Sequence, residues 1–218
     1  MYLKTSNQEK LNLGIGNYSC NWGIHIAGLY ETDNERDEII NSFLAEGAKA
    51  ADMQLYCPVE QTEKEFKHKF THFCPACADK LDNPEHFSIS SAKELYYPDG
   101  TFSPFDMDVG LNDFFVESQK KGKRNIRATA EMAWALEAIP GVEHLMAYEA
   151  RLNYFISGKP WISICLYNTS KFSGSIIINV LKTHPYVITG GVLMQNPFFE
   201  DPATWLKKNA PEFLPKEI

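Results

Sequence analysis

The segment Trp161-Ile162-Ser163-Ile164-Cys165-Leu166-Tyr167 is apolar at nearly every position. A strand with one wet face alternates polar and apolar residues, so an unbroken run this short reads as a strand buried on both faces, the mark of a parallel sheet covered by helices. The rest of the chain fits that frame. Ile24 to Tyr30 and Met53 to Cys57 read as strands, the first ending in a turn and the second stopped by Pro58. Between them the acidic stretch Glu31 to Glu38 suits a helix N-terminus, and Ile39, Ile40, Phe43, Leu44, Ala48 and Ala51 recur at helical spacing. Thr62-Glu63-Lys64-Glu65 is a capping box, with Phe66, Phe70 and Phe73 following on one helical face.

A third strand is expected within Phe87–Tyr97, before the Pro98-Asp99-Gly100 turn. Ser103-Pro104 opens a helix that should run to about Lys121 and stop at Gly122. Ile126 to Trp134 alternates, with Ile126, Ala128, Ala130, Met132 and Trp134 on one face and Arg127, Thr129 and Glu131 on the other. Pro140-Gly141 opens a helix carrying Val142, Leu145, Leu152 and Phe155; another runs from Phe172 to Lys182. Val187-Ile188 and Val192-Leu193 flank Gly190-Gly191 as a hairpin, and Asp201-Pro202 caps a short terminal helix. Strands alternating with helices define an α/β class with a mostly parallel sheet. The first twenty residues read as a polar arm or loop, and one domain accounts for the remainder.

Composition narrows function by exclusion. A net charge of −7 and a pI near 5.4 disfavour direct nucleic-acid binding, which needs clustered cations. The apolar runs are too short to span a bilayer, no signal segment opens the chain, and a cytoplasmic location is expected. Five cysteines argue for thiols or metal ligands over a disulfide framework. No G-x-x-x-x-G-K-[ST] loop occurs, Gly14-x-Gly16 completes no dinucleotide fingerprint, and the acidic loop Leu29-Tyr30-Glu31-Thr32-Asp33 would repel polyphosphate. Neither ATP nor NAD is expected.

His68, His72, Cys74 and Cys77 are spaced so that zinc or another thiophilic metal could use them, although a second C-x-x-C is missing. The plainer reading, a helix end with buried thiols and exposed histidines, is preferred. A redox pair at Cys74 and Cys77 fits less well, because the motif follows a helix instead of opening one.

Several segments taken together resemble the MEDS sensory domain: His25-Ile26-Ala27-Gly28-Leu29-Tyr30, Ala130-Glu131-Met132-Ala133-Trp134-Ala135-Leu136, Tyr148-Glu149-Ala150-Arg151-Leu152-Asn153, Cys165-Leu166-Tyr167, Leu181-Lys182-Thr183-His184-Pro185 and Asn196-Pro197. MEDS is the methanogen and methylotroph sensory domain, named partly for a dichloromethane-responsive regulator. The resemblance spans about residues 23–199, leaving residues 1–22 as an N-terminal arm and 200–218 as a C-terminal helix and tail. It implies a RecA- or KaiC-like fold without the phosphate loop. It also implies a non-enzymatic signal-input domain that senses simple hydrocarbon derivatives. The partners so implied are a small organic ligand and a downstream regulatory protein. A homodimer is in keeping with the habit of signal-input domains.

Ligands of doubly wound sheets sit outside the carboxyl ends of the strands. That rule, with the aromatic walls and few polar anchors that suit a small apolar ligand, selects His25, Tyr30, Glu131, Trp134, Cys165 and Tyr167 as the expected pocket lining. His25 would make one hydrogen bond, Glu131 would orient a polar end, and Cys165 would add a soft contact or a metal ligand. Arg151 and His184 are weaker candidates, since an ion pair and a helix cap explain them equally well. The alternative function is a metal- or thiol-dependent enzyme using the His68–Cys77 stretch. A third reading is a degenerate ATPase-like interaction domain with no ligand.

Overall fold

A computed structural model of the chain describes residues 10–120, 122 and 124–215. The first nine residues, Lys121, Lys123 and the last three residues of the tail lie outside the described residues. In chain order the elements are β1 (Leu11–Asn12), β2 (Ser19–Cys20), β3 (Ile24–Tyr30), α1 (Asp33–Lys49), β4 (Met53–Cys57), α2 (Glu63–Phe73), β5 (Phe87–Ile89), α3 (Ala92–Tyr96) and α4 (Pro104–Lys120). They continue with β6 (Ile126–Glu131), α5 (Leu145–Ile156), β7 (Trp161–Asn168), α6 (Gly174–Thr183), β8 (Tyr186–Thr189), β9 (Val192–Gln195) and α7 (Pro202–Asn209). Seven strands form one sheet in the order β5-β4-β6-β7-β3-β8-β9. Every pairing is parallel except that of β8 with the edge strand β9.

The unbroken apolar run became β7, at the centre of the sheet and buried at all eight positions. Because side chains alternate along a strand, its residues divide between two cores. Ile162, Ile164 and Leu166 pack with α1 and α2 through Ile40, Phe43, Phe66 and Phe70. Trp161, Cys165 and Tyr167 pack with α4 and α5 through Met107, Tyr148 and Leu152. Complete capping boxes start α1 at Thr32/Glu35, α2 at Thr62/Glu65 and α3 at Ser91/Glu94, each stabilising its helix by about 1 kcal/mol.

The third strand falls within Phe87–Tyr97 as expected, as β5, and the rest of that segment is α3, because Ser91 and Glu94 cap a helix there. Three local expectations are corrected. The strand through Ile126 stops at Glu131, where pairing ends at Cys57–Ala130 on one side and Leu166–Glu131 on the other. Met132–Leu136 then coils as a 3-10 turn that folds Trp134 against Tyr96 and Phe102. Phe73 sits on the last turn of α2 and is 51% exposed, outside the core that holds Phe66 and Phe70. Leu11, Leu13, Ile15 and Cys20 are buried in the α1-side core, so this part of the N-terminal stretch is packed structure and no free arm.

Two further devices hold the frame. Gly141 has φ +89° and an added Cβ would lie 2.0 Å from the Phe102 carbonyl oxygen, so only glycine admits this approach. Arg127 of β6 is buried beneath α1, where its Nε donates to Asp52 Oδ2 at 2.8 Å and its guanidinium also reaches the carbonyls of Phe43 and Asn12.

Candidate functional site

His25 and Tyr30 lie five residues apart on β3, and an odd spacing sends them to opposite faces of the sheet. The expected pocket residues therefore divide. Tyr30 and Glu131 face α1 and α2. His25, Cys165 and Tyr167 face α5 and α6, as does Trp134 in the neighbouring aromatic cluster.

On the first face the carboxyl ends of the strands are filled by a polar network. Glu131 is fully buried at the end of β6. Its Oε1 accepts from Tyr56 Oη at 2.5 Å, and its Oε2 accepts the backbone N–H groups of Val59, at 3.0 Å, and Glu60. Arg36 approaches to 3.8 Å, itself held by Asp33 and Asp37. Tyr30 donates its hydroxyl to Glu60, which also receives Lys171 and Asn168. Glu131 thus organises the β4–α2 loop, with both of its oxygens engaged by protein donors.

Burial works against the Glu60 carboxylate, but hydrogen bonds from Lys171 and Tyr30 outweigh it and hold its pKa below the ordinary value. A depressed carboxylate contributes stability above its unfolded-state pKa of about 4.3 and loses it as pH falls through the folded value. Glu60→Gln is therefore expected to flatten the loss of stability on acidification. Urea midpoints at about pH 7 and pH 3 check this, and an acid limb as steep as that of the parent would contradict it.

The second face carries a group that the sequence reading found only in part. His25, Cys165 and Tyr167 come from adjacent strands, His184 follows α6, and Glu149 comes from α5. Glu149 Oε2 lies 3.2 Å from His25 Nε2 and 3.5 Å from His184 Nε2, and Tyr167 Oη donates to Glu149 Oε1 at 2.5 Å. Cys165 Sγ is 3.3 Å from His25 Nε2, and the two imidazole rings are tilted by 39° with centroids 3.9 Å apart. His184 Nδ1 meets the Val180 carbonyl at 2.8 Å, so the expected helix cap and the site role coexist in one ring.

Burial dominates the chemistry of this group. It drives the pKa of His25 down to about 3, opposed by Asn153 beside the ring. It drives His184 to about 3 as well, reinforced by His25 and opposed by Glu149. The Glu149 carboxyl is raised by burial against the pull of His184 and Tyr167, and the Cys165 thiol is raised by burial and by Glu149. Both imidazoles are neutral near pH 7, the form that ligates metals. Glu149 lay within a quoted segment, Tyr148-Glu149-Ala150, yet nothing along a helix marks which turn will meet two strands.

Next to Cys165 a cavity of about 30 Å³ opens between the sheet and α3, α4 and α5, and its walls include Ala130, Leu152 and Trp161. A cleft of about 370 Å³ between α3 and α4 reaches the surface at Glu94, Asp99 and Asp106. Cleft and cavity share Leu55, Leu95, Tyr96, Met107 and Leu111. Cleft and cavity thus adjoin across these mostly buried apolar side chains, with Cys165 lining the cavity on the side of the buried donors.

The His68–Cys77 stretch forms no such group. Cys74 and Cys77 are bonded to each other as a disulfide, so neither offers a thiolate, and His68 and His72 are exposed on α2. Local spacing gave four donors, but the turn at Cys74 spends two of them on one another. Among the described residues, the His, Cys, Asp and Glu group that gathers its ligand atoms is His25, Glu149, Cys165 and His184. Arg151 is a tether: it pairs with Asp108 of α4 and donates to the Phe213 carbonyl.

The sheet order and covering helices define a RecA-like α/β domain, and solved structures agree. A KaiC-like protein from Pyrococcus horikoshii OT3 superposes with a TM-score of 0.58 at 12% identity, covering 83% of this chain and 79% of its own. The flagellar accessory protein FlaH from Methanocaldococcus jannaschii gives 0.54 at 16% identity, with coverages of 79% and 75%. At such identities the likeness is one of fold. Residues 24–185 match the family described as the MEthanogen/methylotroph, DcmR Sensory domain, and the chain belongs to that MEDS family. A curated relative, the transcriptional repressor DcmR of Methylorubrum extorquens strain DM4, is 26% identical over 161 residues, which are 73% of this chain and 57% of DcmR. This chain therefore spans rather more than half of that relative. No helix among the described residues is long and apolar enough to cross a membrane.

Proposed function

We propose that this sensory domain is a non-enzymatic receptor for a small, mostly apolar organic molecule, a simple hydrocarbon derivative, that it binds in the cavity beside Cys165. The observation that carries the reading is an apolar cavity lined by Cys165 that adjoins a surface cleft across five shared side chains. A cavity of about 30 Å³ has room for about two or three heavy atoms, since one water-sized sphere needs about 10–15 Å³. That size suits a one- or two-carbon haloalkane or alcohol and excludes a nucleotide. Tyr96, Met107 and Leu111 form the walls, and Cys165 gives a polarizable contact at the inner end.

The start of α1 supports a reading without ATP. Where a RecA-like fold would seat phosphate after β3, Glu35 accepts the N–H groups of Glu31 and Thr32, and Thr32 Oγ1 accepts that of Glu35. The protein's own carboxylate occupies these donors. Membership of a sensory family and similarity to a transcriptional repressor support the further reading of a cytoplasmic signalling role with a downstream regulatory partner.

The test is thermal unfolding with dichloromethane and a series of short alcohols. Saturation near 100 times Kd should stabilise the domain by about 2.7 kcal/mol. Leu111→Trp, which enlarges a side chain lining both cleft and cavity, should remove that shift. A series with no stabilising member, or a shift that survives Leu111→Trp, would sink the proposal.

A further inference from the structure

We infer that His25 Nε2, His184 Nε2, Glu149 Oε2 and Cys165 Sγ form a binding site for one divalent thiophilic metal ion of the zinc class. The inference goes beyond the sensor reading and does not depend on it. The four side chains come from four places in the fold, all are buried, and one ligand atom from each lies within 4.8 Å of the others. Tetrahedral bonds of about 2.0–2.3 Å set neighbouring ligand atoms about 3.3–3.8 Å apart. The separations of 3.2, 3.3 and 3.5 Å around His25 and Glu149 already approach that spacing.

Three more observations converge. Glu149 Oε2 and His184 Nε2 are buried atoms with no hydrogen-bond partner, an expensive state that a cation would relieve. The outer contacts are those of metal ligands: the second nitrogen of His184 is held by the Val180 carbonyl and the second oxygen of Glu149 by Tyr167. Charge also balances. A thiolate and a carboxylate cancel a dication, so the filled site is neutral inside an apolar core. Binding forms two metal–nitrogen bonds, one metal–sulfur bond and one metal–oxygen bond. The Cys165 thiol proton, with that of Glu149 where it is protonated, passes to solvent, so affinity rises with pH.

The test is titration of the chelator-treated full chain, its Cys74–Cys77 disulfide intact, with cobalt(II). One equivalent should bind, with tetrahedral visible bands and a thiolate-to-cobalt band in the near ultraviolet. Cys165→Ser, checked by circular dichroism for its fold, should lose the thiolate band. Tyr167→Phe should weaken affinity about 10–100-fold. The Cys74→Ser, Cys77→Ser double variant and Leu111→Trp should bind cobalt as the parent does, so this site can stand where the sensor cavity fails. Folded parent protein without the tetrahedral spectrum would overturn the inference. So would a thiolate band that survives Cys165→Ser or vanishes in the Cys74, Cys77 double variant.

Discussion

Asp52→Ala is expected to destabilise the domain by about 3–5 kcal/mol, the usual result of leaving one member of a buried ion pair alone. Arg127 and Asp52 are only 2% and 3% exposed, and the guanidinium cannot shed its charge. Its other contacts, the carbonyls of Phe43 and Asn12 and the faces of Phe43 and Trp22, orient the cation without neutralising it. Asp52 Oδ1 also receives Asn125 Nδ2 at 3.2 Å, so the loop before β6 loses a contact as well. Urea unfolding of the parent, Asp52→Ala and the double variant Asp52→Leu, Arg127→Met separates the causes. The double variant should recover most of the loss, because removing both charges removes the orphan. A single variant within about 1 kcal/mol of the parent would mean that water reaches Arg127.

Glu131→Ala should cost on the order of 3 kcal/mol while leaving the cavity ligand bound as tightly as before, since each buried donor left unmatched costs about 1–3 kcal/mol. Two backbone N–H groups and the Tyr56 hydroxyl lose their acceptor together. Arg36 keeps Asp33 and Asp37, so the loss comes from hydrogen bonds more than from a stranded charge. The informative comparison is between unfolding midpoint and ligand affinity on the same variant. A folded Glu131→Ala domain that no longer binds dichloromethane or alcohols would place the ligand at the strand ends, against the cavity described above.

The legible parts of the sequence were those set by local physics. Thr62 and Glu65 announce a helix start by themselves, and an unbroken run such as Trp161–Tyr167 has few other places to go. Short elements were less legible: α3 is five residues long, and its capping box had to outvote a neighbouring apolar run. The site was half legible. His25, Cys165, Tyr167 and His184 were named, but so were Tyr30 and Glu131, which strand alternation sends to the other face. His68 to Cys77 attracted attention because its donors are close in sequence. The group that does assemble draws on residues up to 159 positions apart, from His25 to His184, and only the register of β3 against β7 and β8 brings them together.

The capping box at the start of α1 has a consequence for how such a receptor can be driven. Molecular switches that hydrolyse a nucleotide can hold a state away from equilibrium, because each turnover injects free energy. If Glu35, which holds the Glu31 and Thr32 N–H groups at the start of α1, keeps nucleotide out as proposed, the receptor would have only the binding of its ligand to draw on. Carrying a two-state element from 1:99 to 99:1 then requires about 10⁴-fold preference for one arrangement. A ligand of two or three heavy atoms can supply roughly 1.5 kcal/mol per atom at best, short of the roughly 5.5 kcal/mol that swing demands. Such a receptor would report concentration as a graded, reversible occupancy, and any sharpening of the response would have to arise in what it talks to.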